Sequence, residues 1–256
     1  ALAAASAYLF SPAVQWTALT DFHTEFIAIP LLAISLYYLL QHRYRSFSMF
    51  GAIAMLAKEP IGITIASLGV YIAVVHRRAR WGIPVALAAL LWVWLAVAVF
   101  MPSLRPPGPA HPERRYTFLG STTQEIVTTV LTRPLWVAEH YLTFDNIQFF
   151  NHLMTPLAFY PALAPGLLVT TIPVFGYIMT MDFFIPDFYR SQYTAPLIPI
   201  LAFATVEGLR RGYRWLGASP RATWSLAITL LVTAPLSAYM YGPGPLSRLY
   251  DPNRYA

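Results

Sequence analysis

No cysteine occurs in the 256 residues, which excludes disulfides, thiolate metal sites and a cysteine nucleophile. Charge is scarce as well. Asp, Glu, Lys and Arg together make 11% of the chain, against about 25% in soluble domains. Lys58 is the sole lysine; every other cation apart from histidine is arginine. No nucleophile elbow, glycine-rich phosphate loop or zinc-ligand spacing is present, so nothing points to ATP hydrolysis. Hydrophobic residues make 57% of the chain and prolines number 22, a composition that fits a membrane protein with kinked or broken helices. A formal charge of +6 does not imply nucleic acid as a partner. The basic residues sit in short clusters between apolar runs, as in cytoplasmic loops of membrane proteins. The chain opens inside an apolar run, "ALAAASAYLF", without an initiator Met or a signal-peptide pattern. It is therefore expected to be a fragment of a longer protein lacking the N-terminal part.

A bilayer core about 30 Å thick needs about 20 helical residues. Candidate spans are Leu2 to Leu19, Phe26 to Gln41, Trp81 to Met101 and Trp224 to Tyr241, with a shorter one from Pro196 to Gly208. Two longer stretches carry central breakers and read as hairpins of two short helices: Phe47 to Val75, broken at Lys58-Glu59-Pro60, and Asn146 to Met181, broken at Ala164-Pro165-Gly166. The expected architecture is all-α, a polytopic membrane helical bundle with about nine membrane segments. It forms a single transmembrane domain over residues 1–256, with an outer loop over about 103–150.

Arg43 and Arg45, then Arg77, Arg78 and Arg80, then Arg210, Arg211, Arg214 and Arg221 form three basic clusters. Placing them in the cytoplasm leaves every acid except Glu207 on the outer side, a separation the hairpin assignment did not presuppose. Within the outer loop, "STTQEIVTTVLTRPLWVAEHYL" predicts an amphipathic surface helix. Ser121 is its expected N-cap, Ile126, Val127, Val130 and Leu131 form its apolar face, and Pro134 breaks it.

The stretch "LTDFHTEFIAIPLL" sets Asp21, His23 and Glu25 at the lip of an apolar run. These residues read either as ordinary acidity at a helix N-terminus or as a functional group. In the second case the oxygen–nitrogen–oxygen set would hold a divalent cation such as magnesium or manganese, or act as a base tuned by the histidine. Lys58 and Glu59 are either a neighbouring ion pair at a hairpin tip or a phosphate-binding cation beside a carboxylate. Arg190 and Tyr193 read as a phosphate clamp with its neighbour, or as interfacial anchors. Asp182, Asp187, Glu139, His140 and Asp145 are nonspecific candidates, His152 reads as a core histidine, and Trp81, Trp92 and Trp94 as packing or an aromatic belt.

The segments "TDFHTEFIAIPLL", "LAKEPIGITIASLGVYI" and "RSQYTAPLIPIL" together resemble, in order and rough spacing, a prokaryotic membrane family. This is the domain of unknown function family numbered 2079, grouped with GT-C-type glycosyltransferases. Pro60 stands where that family often has an acid after Lys-Glu, and Gln192 where it often has a histidine. The resemblance implies a multi-pass enzyme of the prokaryotic plasma membrane, with its site on the extracytoplasmic face. Such an enzyme takes a sugar from a polyprenyl-phosphate donor in contact with membrane lipids. Asp21, His23 and Glu25 would then serve catalysis or hold a metal, with Lys58, Glu59, Arg190 and Tyr193 at the substrate. The family's catalytic acid is expected in a first outer loop ahead of this chain's first residue. A transporter with discontinuous helices or a non-catalytic scaffold are the alternatives.

Overall fold

The computed structural model describes residues 2–19, 23–104, 116–181 and 189–252. Asp21, Asp182 and Asp187 therefore lie outside the described residues. Every regular element among the described residues is helical, with no strand, as the composition predicts.

The first apolar stretch is two helices rather than one span: α1 (Leu2–Leu9) and α2 (Pro12–Leu19). Pro12 lacks an N–H to continue α1 and is well suited to begin α2. Helix α3 (Glu25–Leu40) follows the predicted span closely. Helices α4 (Tyr44–Met55) and α5 (Ile61–Val74) form the expected hairpin, with Lys58, Glu59 and Pro60 at its turn. Helix α6 (Ala79–Leu95) continues through a π-helical turn (Ala96–Phe100) into α7 (Met101–Leu104).

The outer loop carries α8 (Thr123–Thr132) and α9 (Pro134–Tyr141). The N-cap is Thr122, whose hydroxyl accepts from Glu125 N, one residue later than predicted. Ser121 instead uses its N–H and hydroxyl to donate to Glu125 Oε2, each at 2.8 Å. Those bonds hold the Glu125 carboxyl below the usual glutamate range. Pro134 ends one helix and also starts the next.

The second predicted hairpin is more broken than expected. After α10 (Phe144–Met154) come short 3-10 turns, then α11 (Pro165–Leu168) and α12 (Ile172–Met179). Ala158 and Phe159 have φ of 51° and 56°, a left-handed pair that turns the chain ahead of Pro161 and Pro165. Helices α13 (Leu197–Trp215) and α14 (Pro220–Tyr241) complete the bundle.

Two stretches are long and apolar enough to cross a bilayer, Ala79–Leu104 and Pro220–Tyr241, not about nine. Most of the predicted spans are too short, and α13, though long enough, carries Glu207, Arg210, Arg211 and Arg214. At about 1.5 Å per residue, α4 and α5 reach about 18 and 21 Å, short of a core about 30 Å thick. The long stretches are not core helices of a soluble fold. Only 17% of the apolar window of Ala79–Leu104 and 22% of that of Pro220–Tyr241 is buried. Leu87, Leu91 and Trp94 on α6 and Ile228, Val232 and Leu236 on α14 are exposed. A surface this apolar suits lipid rather than water.

The interior has two main clusters. Leu32, Leu36, Phe47, Ile65 and Leu68 join α3, α4 and α5. Trp16, Phe149, Leu153, Ile178 and Leu230 join α2, α10, α12 and α14. Helix α13 serves both, with Ile200 in the first and Leu197 and Leu201 in the second.

Helices α5 and α6 cross closely because their contact is made of small residues. A Cβ on Gly69 would meet Ala86 N at 2.8 Å, and one on Gly82 would overlap the backbone of Gly69 and Ala73. Gly82→Ala is therefore expected to cost about 1–3 kcal/mol, because backbone cannot move aside as a side chain can. Thermal unfolding in mild detergent tests this, and an unchanged midpoint would contradict the close crossing.

Candidate functional site

Charge separates to the two ends of the bundle. At one end, His42, Tyr44, His76, Arg78 and Arg80 share a cavity. Tyr71 stacks edge-on against His76 with ring centroids 5.0 Å apart and feels the charges of Glu207 and Arg211. The three arginine clusters thus gather at one end. The fork there is strong: Arg210 Nε and Nη2 donate to Glu207 at 2.7 and 2.8 Å, and Arg211 Nε at 2.9 Å.

At the other end, Glu25 opens α3 and Lys58 lies in the α4–α5 turn. The Lys58 ammonium donates to Glu25 Oε1. The Glu25 side chain is 5% exposed and that of Lys58 28%, so the carboxylate is the buried partner. Thr24 stands at the N-cap in α-helical geometry and makes no side-chain cap bond. Glu25 is therefore more than N-terminal acidity: it ties two segments 33 residues apart in sequence. Nor does Lys58 simply pair with its neighbour Glu59. Its ammonium also lies 5.8 Å from the centre of the Tyr193 ring, within cation–π range.

Glu59 is half-buried. Tyr177 on α12 lies in the field of Glu25, Glu59, Tyr193 and Tyr116. Three segments distant in sequence therefore meet, the start of α3, the α4–α5 turn and the turn before α13, and Tyr177 of α12 lies within their electrostatic reach. Arg190 occupies an adjoining aromatic patch. Its guanidinium lies 5.4 Å from the Trp16 ring centre and 5.3 Å from that of Tyr189, and Nε donates to Tyr189 Oη at 2.9 Å. Trp16 Nε1 donates to Tyr241 O at 2.7 Å. His152 is buried beside Tyr189 and Tyr241, with ring centroids 4.4 and 4.6 Å away, so it is the core histidine expected. His140 stacks on Phe118.

His23 is half-buried, two residues ahead of Glu25. Among the described residues no three His, Asp or Glu side chains gather as a metal-holding group. Glu25 Oε1 is engaged by an ammonium, and a divalent cation there would be repelled by Lys58. As arranged, Glu25 does not fit a divalent-cation site.

An apolar cavity of about 710 Å³ lies between the surface helix α8 and α12, within the range of ligand pockets. Ile126 and Val130 of α8 form one wall, and Tyr116, Phe150, Phe175 and Tyr177 line it further. The surface helix is therefore one wall of this cavity. Tyr177 lines the cavity and lies within the electrostatic reach of Glu25 and Glu59. Sequence reasoning passed over Tyr177 and Tyr116, which have no marked spacing. The one available signal was the apolar face of α8, which had to cover something.

Lipid-facing helices around a charged cluster and an apolar cavity define a helical membrane protein. The chain belongs to the family described as predicted membrane protein (DUF2079), whose pattern matches residues 1–242. No curated protein and no solved structure matches it.

Proposed function

We propose that the protein is a GT-C-like membrane glycosyltransferase that takes a sugar from a polyprenyl-phosphate donor on the extracytoplasmic face of a prokaryotic plasma membrane. The observation that carries this reading is the Glu25–Lys58 pair set against Tyr193, within the electrostatic reach of Tyr177, which lines the apolar cavity. The pair suits a phosphate, and the cavity suits a polyprenyl chain.

In this reading the exposed part of Lys58 turns to the donor phosphate, and Arg190 is the second cation. Lys58 thereby gives up Glu25, and the freed carboxylate, with Asp21 and His23 nearby in sequence, takes the proton of the acceptor hydroxyl. The acceptor oxygen bonds to the anomeric carbon as the carbon–oxygen bond to phosphate breaks. The polyprenyl phosphate leaves as an anion stabilised by the cations. Glu59 and Tyr193 border the substrate. A divalent cation on Asp21, His23 and Glu25 would require Glu25 to be released from Lys58 first, and no step here depends on it.

The sidedness follows from the charge separation: the arginine-rich end is cytoplasmic and the Lys58 end outer. With no native cysteine to remove, Glu139→Cys is expected to react with an impermeant maleimide in intact cells. Arg45→Cys should react only after permeabilisation. The reverse pattern would overturn the orientation. The function itself is tested in nanodiscs with a labelled polyprenyl-phosphate sugar and a lipid-extract acceptor. Label should move to the acceptor fraction. Donor binding without transfer would favour a transporter, and absence of both a scaffold.

A further inference from the structure

The arginine-rich end holds a second cavity, of about 380 Å³, that the proposed reaction does not use. His42, Tyr44, His76, Arg78, Arg80 and Trp81 line it, and no carboxylate is among them. We propose that this cavity binds a phosphate-bearing anion, specifically a phosphomonoester or inorganic phosphate.

The donors come from two facing loops. The α3–α4 loop and the first residue of α4 bring His42 and Tyr44, and the α5–α6 loop and the first turn of α6 bring His76, Arg78 and Arg80. The Tyr44 hydroxyl bridges the two imidazoles, 3.0 Å from His42 Nδ1 and 3.1 Å from His76 Nδ1. It has one proton to give, so one Nδ1 accepts from it while the other donates to it. With both rings neutral, the accepting ring carries its N–H at Nε2. One added proton supplies a second Nε2–H. Among the described residues neither Arg78 nor Arg80 meets a carboxylate.

Helices α4 and α6 both begin at this cavity. Neither has a side-chain N-cap or an acid in its first turn, so their positive ends add to the arginines. The loops are held in unusual backbone: His42 has φ 58° and Arg77 φ 53°, strain that the surroundings must sustain. Donors approaching from two sides can engage three oxygens at once, which a phosphate offers and a carboxylate, with two, does not. Basic pockets at membrane helix ends take lipid phosphates for the same reason.

Binding should depend on pH. Burial, and then the neighbouring His42, lower the pKa of His76, so the empty cavity favours the neutral ring. The other groups facing it are Tyr44, Tyr71, Arg78 and Arg80, with Glu207 and Arg211 beyond Tyr71. A bound anion favours the charged ring, so binding takes up a proton and tightens as pH falls.

The test is calorimetric titration of the protein in phosphatidylcholine nanodiscs, with inorganic phosphate and with dihexanoyl phosphatidic acid as probes. Saturable binding is expected for at least one probe, and tighter at about pH 6 than at about pH 8. Arg80→Gln and His76→Gln should each weaken it by about tenfold or more, and His76→Gln should also flatten the pH dependence. Arg80 is exposed, so its variant keeps the test valid if His76→Gln fails to fold. Binding of the lipid probe alone identifies a headgroup site, and equal binding of both a site for free phosphate. No saturable binding of either probe, or unchanged affinity in Arg80→Gln, overturns the proposal.

Discussion

Lys58→Met is expected to destabilise the protein by about 3–5 kcal/mol. The Glu25 side chain is 5% exposed and cannot turn to water when its partner is removed. The variant leaves a buried carboxylate without compensation, and this costs far more than the loss of an exposed pair. Glu25→Gln should cost much less, because the Lys58 side chain, 28% exposed, can extend its ammonium outward along its stem. Glu25→Gln/Lys58→Met, which buries no charge, should recover most of the stability lost in Lys58→Met. Unfolding of all four proteins in one detergent closes a double-mutant cycle. If Lys58→Met unfolds like the parent, the ion pair is incidental to the fold.

The second large effect is expected on rate. Glu25→Gln and Asp21→Asn should each lower sugar transfer by roughly a hundredfold or more with little loss of folded protein, if each carboxylate acts in the transition state. A carboxylate that only supports a helix N-terminus would instead cost about 1 kcal/mol of stability and leave turnover nearly intact. Rates compared at equal folded amounts separate the two roles. Unchanged transfer in both variants would remove the Asp-Phe-His-x-Glu stretch from the mechanism.

Much of the helical layout was legible because its signals are local. The run after Glu25, the Lys58-Glu59-Pro60 breaker and the apolar stretches at Trp81 and Trp224 each predicted an element that the structure contains. Charge spacing also anticipated the gathering of the arginine clusters. Length was less legible. Hydropathy alone cannot tell one span from two short helices, so Ser11-Pro12 split a predicted span and Ala158-Phe159 broke a predicted hairpin. The capping shift from Ser121 to Thr122 is a one-residue choice among three hydroxyls, which pattern does not decide.

The site was legible in its residue types but not in its pairings. Glu25, Lys58 and Tyr193 stood out as polar groups beside apolar runs. That Lys58 takes Glu25 rather than adjacent Glu59 depends on how α3 packs against the α4–α5 hairpin, a tertiary fact. Tyr177 became notable only because α12 sets it in the wall of the cavity and within the electrostatic reach of Glu25 and Glu59. His42 and His76 gave no sequence signal, since they lie 34 positions apart in unremarkable loops.

In the proposed reaction the Glu25–Lys58 cluster and the apolar cavity together receive a polyprenyl phosphate. Equilibrium binding of that lipid, followed by native mass spectrometry from nanodiscs, tests it most directly. The parent is compared, at equal folded amounts, with Glu25→Gln/Lys58→Met, which buries no charge and deletes the ammonium. The parent should bind saturably, and the double variant about tenfold or more weaker. Equal affinity in the two proteins, or no binding by the parent, would remove the cluster from donor recognition.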